Sequence, residues 1–153
     1  MQNYKELKVW EKAHHFTLKV FEMTKYFPKD EIYSLTNQLR RISSSIPANI
    51  VEGCGKNSQA EFTHFLNIAL GAASEAEYFL ILSKDLNYLP NDDFLKLSEN
   101  INEIKAMLIS LINKVRSART TYHVKRITQN EIIRRLSNQQ HQHCTGNRLL
   151  RVG

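Results

Sequence analysis

An all-α, up-down-up-down antiparallel four-helix bundle with a basic C-terminal extension is the fold this sequence predicts. Three observations predict it. Apolar residues recur at spacings of three and four along four separate stretches, the periodicity of amphipathic helices. The connections between those stretches are short enough to make neighbouring helices antiparallel. Only 5 glycines and 3 prolines occur among 153 residues, too few for the many tight turns of a β-sandwich.

The first helix is predicted over about residues 5–26, with Leu7, Trp10, Phe16, Val20, Phe21 and Met23 as its apolar side. It stops before Phe27-Pro28, because the residue preceding a proline is biased away from the helical region. Asp30 is the expected N-cap of the second helix, which runs to about Glu52. Its stripe is Leu35, Leu39, Ile42, Ile46 and Ile50. Pro47 falls inside that stripe, where a proline costs about 3 kcal/mol and frees the carbonyl of Ser43. Because the stripe continues across it, a kinked helix is expected, with neighbouring serine hydroxyls or water serving the displaced carbonyls.

Gly53 and Gly55 supply a stop. Ser58 followed by Glu61 matches the capping-box pattern, so a third helix is predicted from Gln59 to about Asn87. At about 100° per residue, its apolar and small residues from Phe62 to Leu80 cover roughly half the circumference. That width implies burial on two sides, in the bundle centre and at a subunit contact. The stretch "YLPNDD" breaks the chain. The fourth helix begins near Asn91 or Asp92 and carries Phe94, Leu97, Ile101, Ile104, Leu108, Leu111, Ile112 and Val115.

Beyond Val115 the periodicity fails. Residues 1–115 are therefore read as the bundle, and 116–153 as a basic tail, disordered or ordered by a partner. Thr128-x-x-Glu131, with Ile132, Ile133 and Leu136, predicts one short helix near 129–138. Charge divides at the same point. Residues 1–115 hold 13 Lys/Arg against 14 Asp/Glu, net −1, whereas 116–153 hold eight Lys/Arg against Glu131 alone, net +7. A basic extension on a neutral body suits a polyanionic partner, and a merely solubilising tail is the bland alternative. Arg116, Arg119, Lys125, Arg126, Arg134 and Arg135 are the nucleic-acid-binding candidates. Tyr122 is the tail's one aromatic residue, so base-stacking recognition has little support.

No run approaches the roughly 18 apolar residues of a membrane span. The N-terminus lacks the apolar segment of a signal peptide. Cys54 and Cys144 form no disulfide framework, and a reduced cytoplasmic protein is expected.

Catalytic readings fail on spacing. Gly53-Cys54-Gly55-Lys56-Asn57-Ser58 invites a phosphate-loop reading, but that loop follows a strand and needs Gly-x-x-x-x-Gly-Lys-Ser/Thr. Ser43, Ser44 and Ser45 lack a base that the sequence can bring into reach. His141-x-His143-Cys144 has metal-ligand residue types without a second pair. Glu61-x-x-His64 lacks the matching motif that a bundle di-metal site requires. No enzyme activity, metal or cofactor is expected.

A second stripe accompanies the apolar one on the second helix: Gln38, Arg41, Ser45, Asn49 and Glu52. It lies about 100° from the first, at the margin of the core. Such residues pack against another helix or another chain, or else form a solvated flank. Glu61 and Glu75 are the expected acceptors for polar groups on the second helix.

The same residues carry a resemblance. "LKVWEKAHHFTLKVFEMTKYFPKDEIYSLTNQLRRISSSIPANIVEG" and "EFTHFLNIALGAASEAEYFLILSKDLNYL" are similar to the four-helix-bundle proteins called 23S rRNA intervening sequence proteins. The likeness covers about residues 4–115, and its most specific part is Gln-x-Arg-Arg…Ser-Ile-Pro-Ala-Asn-Ile-x-Glu-Gly. Members of that family are encoded within insertions in bacterial large-subunit rRNA genes, or elsewhere in the genome. The family in turn resembles the accessory protein of diversity-generating retroelements, a basic pentameric barrel that contacts a reverse transcriptase and nucleic acid. The resemblance implies a homo-oligomer, a pentamer, with no established enzyme activity. By position it points to Arg40, Arg41, Ser45, Asn49, Glu52, Gly53, Glu61 and Glu75. Lys56 stands where the family usually has arginine, and Ala72 where serine is common.

The functional expectation is a non-enzymatic homo-oligomer that associates with RNA or other nucleic acid through its basic surface and tail. The alternative is a protein-interaction scaffold, such as an accessory subunit of a reverse transcriptase.

Overall fold

The computed structural model describes residues 3–146, with side chains through 118 and at 126 and 129–134. The described residues form a helical bundle with α-helices α1 (Lys8–Met23), α2 (Leu35–Cys54), α3 (Gln59–Asp85) and α4 (Asn91–Gly146). Tight 3₁₀ turns occupy Tyr4–Glu6, Thr24–Tyr26 and Lys29–Glu31, and there is no strand among the described residues. The chain divides into two units, Met1–Arg116 and Ser117–Gly153.

In the first unit, all four helices contribute to one core. Phe16 of α1, Leu39, Ile46 and Ile50 of α2, Leu66 and Leu80 of α3, and Ile101, Ile104 and Leu108 of α4 are fully buried. Each such side chain contributes about 1.5–3 kcal/mol relative to exposure. Burial on α1 falls on Val9, Ala13, Phe16 and Val20, spacings of four, three and four that keep one face inward. α1 is shorter than the predicted 5–26. Leu7 is extended at its start, and the chain tightens into the 3₁₀ turn Thr24–Tyr26 before the extended Phe27.

α2 begins later than its sequence pattern predicts. Asp30 does not cap it, because residues 29–31 close a 3₁₀ turn of their own. Ser34 precedes α2 without a side-chain cap; its hydroxyl turns back to the carboxylate of Glu31. The helix then runs without interruption through Pro47. Thr17 Oγ1 donates to Ser43 O at 2.8 Å, the carbonyl for which Pro47 has no N–H. The donor thus comes from α1, where a serine or water was expected. The serine hydroxyls serve other carbonyls, Ser43 that of Arg40, Ser44 that of Arg41 and Ser45 that of Ile42.

α3 starts at its predicted N-cap: Glu61 N donates to Ser58 Oγ at 3.1 Å, and the pair is closed by the Ser58 hydroxyl donating to Glu61 Oε2 at 2.7 Å, in place of the backbone N–H of a full capping box. Its end is built by Asn87, whose φ of 60° is the left-handed conformation that asparagine tolerates best after glycine. Tyr88 N donates to Ser83 O at 2.9 Å and Asn87 N to Lys84 O at 2.9 Å, the paired bonds of a Schellman stop. By length and composition α3 is long and apolar enough to cross a membrane. Here its Leu66, Ala69, Ala73, Ala76 and Leu80 lie in the core shared by the four helices.

α4 does not end near 115. It continues to Gly146, where the sequence pattern predicts only a short helix over 129–138. The physical reason is that periodicity reports burial, not helicity. Among the described residues the last buried one is Ile112. From Asn91 to Thr145 there is no glycine or proline to stop the helix.

Candidate functional site

The polar stripe of α2 is a ladder of short-range bonds along one helix flank. Arg41 donates to Gln38 Oε1 through Nε at 3.0 Å and Nη2 at 2.8 Å. Asn49 Nδ2 donates to Ser45 O at 2.7 Å, and Glu52 pairs with Lys56 at 3.2 Å. Gln38, Arg41 and Glu52 are exposed, while Ser45 and Asn49 are half-buried. The flank is therefore pre-organised by its own neighbours and still open to a partner.

Arg40 points elsewhere. It is half-buried, its Nε donates to Thr24 Oγ1 at 2.7 Å, and its guanidinium lies 5.3 Å from the centre of the Phe21 ring. Its work is to tie α2 to the end of α1. Gly53 has an equally local role, since a Cβ there would lie 3.0 Å from both Phe62 Cδ2 and Phe65 Cβ. Only glycine lets α2 and α3 approach this closely. Lys56 lies 4.8 Å from the Phe65 ring centre, a cation over an aromatic face that clasps the same end.

Glu61 and Glu75 do not meet α2 as expected. Glu61 is held at the start of α3, where its carboxylate accepts from the Ser58 hydroxyl and its N–H donates to that same oxygen. Glu75 is exposed and makes no side-chain hydrogen bond or ion pair among the described residues. Between them, the outer side of α3 carries Ile68 and Gly71, with Tyr78 beyond; Ile68 is 40% and Tyr78 58% exposed.

In the second unit, Arg126 and Arg134 are exposed on α4, as is Arg116 at the close of the first. The side chains of Arg119, Lys125 and Arg135 lie outside the described residues, as do those of His141, His143 and Cys144. Arg148 and Arg151 lie outside them altogether. Exposed Ile132 and Ile133 stand beside Arg134.

No group of three or more His, Cys, Asp or Glu capable of holding a metal occurs among the described residues. Among the grooves on the first unit are two that involve α1. One of about 360 Å³ runs between α1 and α4, with Lys12, His15, Lys19, Glu22 and Glu103 on its walls. The other, about 630 Å³, is lined by Met23, Tyr26, Tyr88, Pro90 and Leu97 with Lys19 and Lys96 at its margin. Tyr88 Oη donates to Glu31 Oε1 at 3.2 Å, and the Tyr88 ring lies tilted against that of Phe27, 5.9 Å between centres. Loss of solvent and the Glu31 carboxylate raise the Tyr88 phenol, while the Ser34 hydroxyl, ahead of other bonds, lowers Glu31. Burial pushes the Cys54 thiol up, which keeps it protonated and unreactive.

Thr17 is the contributor that residue patterns miss. It sits between Phe16 and Val20 on the apolar face of α1, and the available signal was a hydroxyl at a core position with a proline on the facing helix.

The family described as 23S rRNA-intervening sequence protein matches residues 5–110. Among solved structures, the chain is similar to a protein of unknown function from the S23 ribosomal protein family of Bacteroides thetaiotaomicron. The two are 31% identical with a TM-score of 0.65, and the likeness covers 69% of this chain and 95% of that one. Among curated proteins none matches.

Proposed function

The chain belongs to the 23S rRNA-intervening sequence protein family, and from that premise we propose a non-catalytic, self-associating RNA-binding protein that uses its basic C-terminal segment to hold phosphate. The observation that carries this reading is the division of charge. Residues 1–115 are net −1, whereas eight Lys/Arg against one Glu fall in 116–153. Exposed Arg126 and Arg134 on a continuous helix offer cations at fixed spacing to a polyanion.

The bundle that carries this segment is read as up-down-up-down and antiparallel. Contacts between successive helices run in opposite senses: Thr17 meets Ser43 while Thr24 meets Arg40. Gly53 lies against Phe62 while Glu31 meets Tyr88. Glu77 pairs with Lys105 at 2.6 Å while Lys84 lies over Phe94. The exposed α2 flank supports self-association into a closed ring, for which a pentamer is the expected size. A reduced, buried Cys54 suits a cytoplasmic setting.

Binding of a structured RNA to the full-length protein and to a form lacking 117–153, measured by fluorescence anisotropy across salt, tests the proposal. Full-length protein is expected to bind at low salt with steeply salt-dependent affinity, and the shortened form to bind weakly or not at all. Equal binding by both forms, or none by either at about 50 mM salt, overturns it. A second reading is a scaffold such as a reverse-transcriptase accessory subunit. It is favoured by the tyrosine-lined groove of about 630 Å³, which suits a partner segment. Co-purification of a reverse transcriptase that is lost on Tyr26→Ala would support that reading instead.

A further inference from the structure

α3 carries apolar and small residues over about half of its circumference, and beyond the buried arc large apolar side chains, Ile68 and Tyr78, remain exposed. The uncovered side is not random. Ile68, Gly71, Glu75 and Tyr78 follow at spacings of three, four and three, which places them on one face. All four are exposed.

Gly71 is the informative member. It sits in the middle of a 27-residue helix, where glycine is a poorer former than alanine. Gly53 earns its place by contact with Phe62 and Phe65, but a Cβ at Gly71 would meet nothing within 4 Å. Nothing among the described residues calls for its smallness. A glycine flanked by Ile68 and Tyr78 makes a hollow between two large side chains, which fits a backbone approaching from outside.

The outer face of α2 supplies the matching shape and charge. Arg41, Ser45, Ala48 and Glu52 follow at spacings of four, three and four, so a cation and two small residues share one face. Arg41 spends Nε and Nη2 on the neutral amide of Gln38 and keeps Nη1 for a carboxylate. Glu75 is a carboxylate without a side-chain partner among the described residues.

We propose that the outer face of α3, centred on Gly71, docks on the outer face of α2 of a second copy, with Glu75 of one copy against Arg41 of the next. This rests on the self-association reading above and specifies its surface. The two patches differ, so the contact is heterologous. Repeated from copy to copy, it closes into a ring.

The test is the mass of the full-length protein across a dilution series, by light scattering, with helix content followed by circular dichroism. Arg41→Glu and Glu75→Arg are each expected to raise the dissociation concentration about tenfold or more, and the double reversal to return it to within about threefold of wild type. Gly71→Leu should fill the hollow and weaken association while leaving helix content unchanged. Wild-type protein that is monomeric at about 100 µM overturns the self-association reading and this surface with it. A wild-type oligomer that all three single variants leave intact overturns the surface alone. Wild-type monomer that floats with phosphatidylcholine vesicles also overturns it, by giving the α3 face a lipid cover.

Discussion

Thr17 and Ser43 are joined by a 2.8 Å hydrogen bond from the threonine hydroxyl of α1 to a backbone carbonyl of α2. A bond between side chain and backbone across two helices exists here because Pro47 has no N–H to offer that carbonyl. The hydroxyl also lies 3.0 Å from Ala13 O, so its hydrogen is shared, with the shorter contact to Ser43. Thr17→Val keeps the shape and removes the donor, and leaving a buried acceptor unpaired costs about 1–3 kcal/mol. Urea unfolding should show that loss, with Thr17→Ser retaining most of the stability. In a Pro47→Ala background the loss should shrink by about 1 kcal/mol, because the restored N–H serves Ser43.

The two exposed-or-buried extremes among the glycines should respond to alanine with opposite signs. Gly53→Ala forces a methyl to within 3.0 Å of Phe62 and Phe65 and is expected to cost about 1–3 kcal/mol in denaturant unfolding. Gly71→Ala places its methyl in open space and should gain about 0.5–1 kcal/mol when the protein is dilute enough to be monomeric.

If the C-terminal segment holds phosphate, its arginines should be interchangeable in kind. Arg126→Ala and Arg134→Ala should each reduce the slope of log K against log salt by about 1, with little dependence on RNA sequence. A loss confined to one RNA sequence would instead mean base readout.

Glu31 gives a pH signature. The Ser34 hydroxyl, then other hydrogen bonds, lower its folded-state pKa. A depressed carboxylate contributes stability that is present above its unfolded pKa and lost as pH falls through the folded one. Ser34→Ala should therefore move the Glu31 titration, followed by NMR, upward toward the ordinary glutamate range, and flatten the acid limb of stability.

Cys54 is buried and its thiol raised by that burial. In a Cys144→Ser background, which leaves Cys54 as the one thiol, Ellman's reagent should react with it only as the protein opens. Its labelling rate in urea should follow the unfolding curve.

How far these properties were legible in the residues depends on what sets each. The start of α3 was legible because Ser58 and Glu61 act on each other three residues apart. The α2 core stripe was legible because Leu39, Ile46 and Ile50 face inward by rotation alone. The role of Asp30 was not, since a 3₁₀ turn at 29–31 competes for the same backbone. The length of α4 was missed because its apolar pattern ends at Val115 while its helix-forming residues continue. Glu61 and Glu75 were expected on α2; capping holds one, and the rotation of α3 turns the other outward. Thr17 required knowing which residue of α1 lies opposite Pro47, a distance no spacing rule supplies.

The closeness that Gly53 permits has a consequence in time as well as in space. α2 and α3 are joined by residues 55–58 alone, so bringing them together closes a short loop at small entropic cost. Contacts so near in sequence are the ones a chain samples earliest. The α2–α3 hairpin is thus expected to form the folding nucleus, with α1 and α4 recruited to it. Mutations at Gly53 should then slow folding more than they speed unfolding.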